Sequence, residues 1–205
     1  MKKVIFIQIV FVLIPILVFA QSKESFDYVS IFHEDVAAVK KGNLWGFING
    51  DGNIIIDFRD DLVLTETEDG MYPVFKNDRC LISKNKNDIP YFGYIDKSGK
   101  TVIEPQFLKA SNFNNNAAFA LKLVTEVIGT NELLNKRMVY HKYFEVIIDH
   151  DGNIKDYLSE PINVILDKKF IKKPLKITSK FISDQLIATM NKDGKWTIRT
   201  YEQLN

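Results

Sequence analysis

The sequence has one cysteine, Cys80, so no internal disulfide can form and packing alone must hold the fold. Its surroundings, "DRCLIS", read as a strand in which the thiol is a half-buried small hydrophobe rather than a nucleophile. There are three histidines, His33, His141 and His150, and none stands at the spacing of a zinc-ligand pair. No serine or cysteine occupies a nucleophile elbow. Helix-forming stretches are scarce as well: "TNELLNKR" at 130–137 suffices for one or two turns and reads as a loop excursion between long strands 117–128 and 137–149. Charge of either sign is not in excess, with 27 basic against 26 acidic side chains, which excludes a nucleic-acid or anionic-membrane footprint.

The one long apolar run is at the start. "MKKVIFIQIVFVLIPILVFA", residues 1–20, places Lys2 and Lys3 before an apolar stretch and ends in Val18 and Ala20 ahead of polar Gln21 and Ser22. This is the form of a secretory signal peptide cleaved after Ala20. As an uncleaved anchor the run is short and carries Pro15. A lipoprotein needs cysteine at the cleavage site, where Gln21 and Ser22 stand. The expected products are a signal peptide, 1–20, and one domain, 21–205, exported by the general secretory route to the periplasm or cell surface and without stable membrane insertion. Loss of the leader removes two of the 27 basic residues, leaving a formal charge of −1.

The remainder is written in repeats. An arm, a polar turn followed by strand-like residues, reads "FHEDVAAV" at 32–39, "TEDGMYPV" at 67–74, "FNNNAAFA" at 113–120 and "FISDQLIA" at 181–188. A second element reads "LWGFINGDGNI" at 44–54 and "YFGYIDKSGKTVI" at 91–103, with weaker copies "FEVIIDHDGNI" at 144–154 and "KWTIRT" at 195–200. Trp45, Phe92, Glu145 and Trp196 are then equivalent. Gly42, Gly52, Gly99, Gly152 and Gly194 fall in polar turn contexts, so each unit reads as a three-stranded antiparallel meander. Gly46 and Gly93 fall inside strands, where glycine signals close approach of a backbone or ring; the reading is that the ring of the preceding unit lies over them, making each Trp-Gly or Phe-Gly pair a stacking joint. The fold class is thus all-β, antiparallel hairpin or meander repeats, about four units with the last two degenerate. An open array and a propeller-like ring both fit; closure requires a strand from about 25–31 to complete the fourth unit.

At these residues the sequence resembles the bacterial WG-repeat family. "FGYIDKSGKTVIEPQFLKASNF" at 92–113 follows that repeat through nearly its full length, with Phe92 for tryptophan and with Pro105 in place. The first copy keeps Trp45 and Gly46 but lacks the proline; the third has Glu145 and Val146 for the pair, and the fourth has Trp196 and Thr197. The resemblance implies an exported or surface β module that mediates interactions, with no catalytic residues to carry over.

Candidate chemistry is thin. "GFINGDGN" leads into a strand, whereas a phosphate-cradling loop opens a helix. "DHDGN" and "NGDGN" cluster oxygens but lack the order of a calcium loop. Asp60 with Asp61 and Glu66 with Glu68 are adjacent acids of the kind common on solvated loops, not a glycosidase pair by pattern. No catalytic, metal or cofactor residues are expected, and no cofactor. Recognition remains, with specificity expected in loops 76–90, 125–138 and 155–180. The basic run "DKKFIKKPLKITSK" at 167–180 offers Lys168, Lys169, Phe170, Lys172 and Lys173 as a candidate binding loop, and Tyr72, Tyr91 and Tyr157 are candidate exposed anchors. The function read from sequence is non-catalytic binding of an envelope or extracellular protein, or of a glycan. The alternatives are an immunity-type inhibitor of a secreted toxin and, with no motif behind it, a cell-wall or glycan hydrolase.

Overall fold

The computed structural model describes residues 24–131, 136–167 and 175–201; the expected leader, 1–20, lies outside them, as does the run Lys168, Lys169, Phe170, Lys172 and Lys173. Among the described residues the regular elements are β-strands, all paired antiparallel. The first sheet holds β1 (Tyr28–His33), β2 (Val36–Lys41), β3 (Leu44–Ile48) and β4 (Ile54–Arg59) in chain order. A small hairpin, β5 (Thr65–Thr67) and β6 (Gly70–Tyr72), follows. The largest sheet runs through β7 (Phe75–Lys76), β8 (Arg79–Lys86), β9 (Ile89–Ile95), β10 (Thr101–Ala110), β11 (Ala117–Asn131), β12 (Lys136–Asp149) and β13 (Ile154–Tyr157), with β14 (Ile162–Asn163) also on β12. The last sheet is β15 (Lys180–Ser183), β16 (Leu186–Met190) and β17 (Trp196–Thr200).

The expected meanders are β2-β3-β4, β8-β9-β10 and β11-β12-β13. Two turns define each. The arm turn has two residues with positive φ, Glu34 and Asp35 (50° and 69°), Asn77 and Asp78 (49° and 58°), Asn115 and Asn116 (51° and 60°), the type I′ geometry that matches strand twist. Asn and Asp tolerate this region where other side chains clash. The arm turn of the fourth unit is Asp184 and Gln185, bracketed by the Ser183–Leu186 pair. A phenylalanine precedes every arm turn: Phe32, Phe75, Phe113 and Phe181. The second arm is therefore "FKNDRCLI" at 75–82, and not "TEDGMYPV" at 67–74, which spans the β5–β6 hairpin. The proposed loop at 76–90 is correspondingly the β8–β9 hairpin, and the β11–β12 ladder reaches through the expected excursion to Asn131 and Lys136.

The second turn, five residues long, is built the same way at 49–53, 96–100, 149–153 and 191–195. In each the glycine N–H donates to the carbonyl of the first residue at 2.9–3.1 Å. The side chain of that first residue, Asn49, Asp96, Asp149 or Asn191, accepts from the backbone two and four positions on. Asp149 and Asn49 thus spend acceptor oxygens on their own turns.

Units are joined by a contact that recurs. Phe75 packs edge-on against Phe47 of the preceding unit, ring centroids 4.8 Å apart, and Phe113 against Tyr94 at the same distance. Phe181 shares a core cluster with Ile147, the position matching Phe47 and Tyr94. Side chains at the arm turns extend the joint. Glu34 accepts from the Asn77 and Asp78 N–H groups at 2.6 and 2.9 Å, Asn77 accepts from the Asn116 N–H at 3.3 Å, and Asn115 donates to Asp184 at 2.7 Å. In the first two units the third strand also carries over to the next. β10 hydrogen-bonds β9 and then β11, while residues 61–63 beyond β4 pair with β8. The array is open: among the described residues β1 pairs with β2 alone and β17 with β16 alone.

Candidate functional site

The repeat-motif residues are placed by strand geometry. Trp45 is buried near the start of β3 and Phe92 in the middle of β9. Gly46 lies beneath the backbone of its own unit, not a ring of the preceding one: a Cβ there would meet the Ile56 carbonyl oxygen at 2.7 Å. At Gly93 a Cβ would meet Pro105 N at 2.7 Å and the Glu104 carbonyl carbon at 2.8 Å, with the Ile103 oxygen closer still. Both sit opposite register shifts in the third strand, so the glycine makes room for a bulged neighbour, and Pro105, which has no N–H to give, occupies the bulge in β10. The stacking joint expected at Trp-Gly is instead the phenylalanine joint. Gly42 turns β2 into β3, and Gly52, Gly99, Gly152 and Gly194 turn the five-residue loops with φ of 76–85°. Gly99 and Gly152 also seat against Ile56 and Ile103 of the preceding unit. Trp196 departs from Trp45: it is 47% exposed, with Lys180 Nζ over its ring at 4.8 Å.

Glu145 holds the Trp45 position in the third unit and is buried there. Its carboxylate accepts from the Thr178 N–H at 3.1 and 3.2 Å, from Thr178 Oγ1 at 2.9 Å and from the Ser179 N–H at 2.6 Å. A buried carboxylate needs such donors, and here they come from the segment that leads into β15. Where an aromatic ring fills core in the first two units, the third unit uses a charge to clamp a returning chain. Sequence reading saw the substitution but had no signal for the donors, which lie 33 and 34 residues away.

Beside this clamp is a cleft of about 930 Å³ between the third and fourth units. Tyr143, Phe144 and Tyr157 give it aromatic walls, Lys176, Lys192 and Arg199 give it cations, and Glu160 and Asp193 give it carboxylates. Tyr157 meets Phe144 edge-on at 5.2 Å and remains 49% exposed as a residue. Arg199 donates to the Tyr157 carbonyl at 3.3 Å and pairs with Asp156 at 3.6 Å, tying β17 to β13. Part of the expected 155–180 recognition segment is thus at the cleft, through residues 157–162 and 175–178.

Other expectations resolve individually. Tyr72 is fully buried, not an exposed anchor; burial raises its pKa, and its hydroxyl lies 2.8 Å from Asp69 and 3.0 Å from His33. Tyr91 is half-buried under Lys86. His150 is half-buried between units, against Arg79, the Asn77 carbonyl and Phe113. Asp61 binds Arg59 through both oxygens, at 2.5 and 2.8 Å. Cys80 is fully buried and its thiol is pushed far up by that burial, so it does not ionise at neutral pH. Among the described residues no group of three or more His, Cys, Asp or Glu is placed to hold a metal ion, and no helix is long and apolar enough to cross a membrane.

Comparison with known proteins matches the first part of the array. The family model for the WG containing repeat matches residues 25–45, 45–80 and 92–122. A pH-response regulator protein palF/RIM8 from Candida glabrata is 26% identical over 98 residues, 47% of this chain and 15% of that protein. The chain therefore spans a small part of that relative's length. No solved structure matches.

Proposed function

We propose that this chain, whose residues 25–80 and 92–122 match the WG containing repeat, is a non-catalytic binding protein, exported to the periplasm or cell surface, whose cleft between the third and fourth units receives a segment of a partner protein. The observation that carries the reading is the cleft itself. Exposed Tyr157 beside Phe144 provides an apolar anchor site, and the balanced charges around it, Lys176, Lys192 and Arg199 with Glu145, Glu160 and Asp193, favour a polar segment that carries an aromatic side chain. The form of residues 1–20 supports export.

The test is affinity capture from the envelope fraction of the producing cells, with the native protein and a Tyr157→Ala, Arg199→Glu variant as baits. One protein held by the native bait and lost with the variant is the expected result. A protein held equally by both moves the site off the cleft. No protein held, together with binding of purified cell-envelope glycans, overturns the protein-partner reading in favour of a glycan.

A further inference from the structure

The joint between units is used three times within the chain, and each end of the array presents one half of it. Phe75 and Phe113 are buried on the strand of the preceding unit. Phe32, the arm phenylalanine of the first unit, is 49% exposed, and Val29 and Ile31 beside it on β1 are exposed as well. At the other end, Ile198 stands two residues after Trp196, as Phe47 stands two after Trp45 and Tyr94 two after Phe92. Phe47 and Tyr94 are covered by the arm phenylalanine of the next unit; Ile198 is 62% exposed.

The strands repeat the same asymmetry. In the middle of the molecule the order is β8-β9-β10-β11, with the third strand hydrogen-bonded on both edges. Among the described residues β17 is paired only with β16, and β1 only with β2. Setting β1 of one molecule antiparallel against β17 of another gives β16-β17-β1-β2, which has the same roles in the same order: arm strand, aromatic strand, third strand, next arm strand. Phe32 then lies where Phe75 and Phe113 lie, over Ile198.

We propose that the partner for these two surfaces is a second copy of this chain, joined head to tail through the β17 edge with Trp196 and Ile198 on one side and β1 with Phe32 on the other. Repeat arrays stay monomeric when polar faces cap their ends, and apolar open edges at both ends have the opposite effect. Because the two surfaces differ, the contact is heterologous and propagates rather than stopping at a symmetric dimer. A single ring buries about 150–250 Å², well below the roughly 1,200 Å² of a stable complex, so strand pairing must contribute and association is concentration-dependent.

The experiment is sedimentation velocity of the purified protein across a concentration series, with Phe32→Asp and Ile198→Asp. Both residues are exposed, so both variants keep the native circular dichroism spectrum; Val29→Lys and Trp196→Lys replace them if either does not. The native protein is expected to form a series of species above monomer, and each variant to lose it. An equimolar mixture of the two variants is expected to stop at dimer, since each supplies the intact surface the other lacks. A native protein that stays monomeric at every concentration, a variant that still associates, or a mixture that stays monomeric overturns the proposal.

Discussion

At the residue scale, glycine and glutamate show how one position serves different ends. Gly46 and Gly93 exist because a bulged backbone approaches them, and the approach is tighter at Gly93. Gly93→Ala is expected to cost about 3 kcal/mol and Gly46→Ala less, as overpacking does where only backbone can yield; urea unfolding of the two variants checks the order. Sequence predicted a close approach at both sites but named the wrong neighbour, because a strand-interior glycine does not say whether a ring or a carbonyl lies above it. The turn carboxylates give a pH dependence. Burial alone would raise Asp96 and Asp149, but hydrogen bonds from Ser98 and Lys100, and from Asn153, Lys155 and Asp151, outweigh it and hold both below the ordinary carboxylate value. Their contribution is therefore present above about pH 4 and lost as pH falls through the lowered folded values. Asp96→Asn with Asp149→Asn should flatten this acid-side loss while leaving the turns intact, since Asn49 and Asn191 make the same backbone bonds. Urea midpoints followed from neutral pH into acid would show the change in slope, and an unchanged slope would assign the acid sensitivity elsewhere.

At the element scale, the third unit replaces a buried ring by a clamp. Glu145→Ala leaves the Thr178 and Ser179 N–H groups without their acceptor, and the expected loss is about 2 kcal/mol, with faster proteolysis in the segment entering β15. Glu145→Gln retains one acceptor oxygen and should fall between. Equal stability of all three proteins would mean that the clamp does not hold that segment. Element boundaries were legible wherever a turn carries glycine after two polar residues, as at 96–100 and 149–153. The second arm was not, because "FKND" forms a type I′ turn without glycine, whereas "TEDGMYPV" has the glycine and apolar alternation that sequence reading rewards. Trp196 misled in the other direction. Its position after a glycine turn matches Trp45, but no following strand or arm covers it among the described residues, and it remains on the surface.

At the scale of the whole molecule, the account is an open row of β meanders in which each unit covers the aromatic strand of the one before. The all-β repeat character was legible from spacing and turn chemistry alone; the phenylalanine joint was not, because the second arm was read at 67–74 and so left out Phe75. The cleft was not, because its walls come from β12, β13, the segment at 175–178 and β17, and no local pattern announces that these converge. The account's central claim is that this cleft takes a protein partner, and a photo-activated cross-linking residue in place of Tyr157, with another in place of Tyr140 on the outer part of β12, tests it in the producing cells. The account predicts one discrete cross-linked protein from position 157 and none from position 140. Equal labelling from both positions, or no protein adduct from position 157, would contradict it.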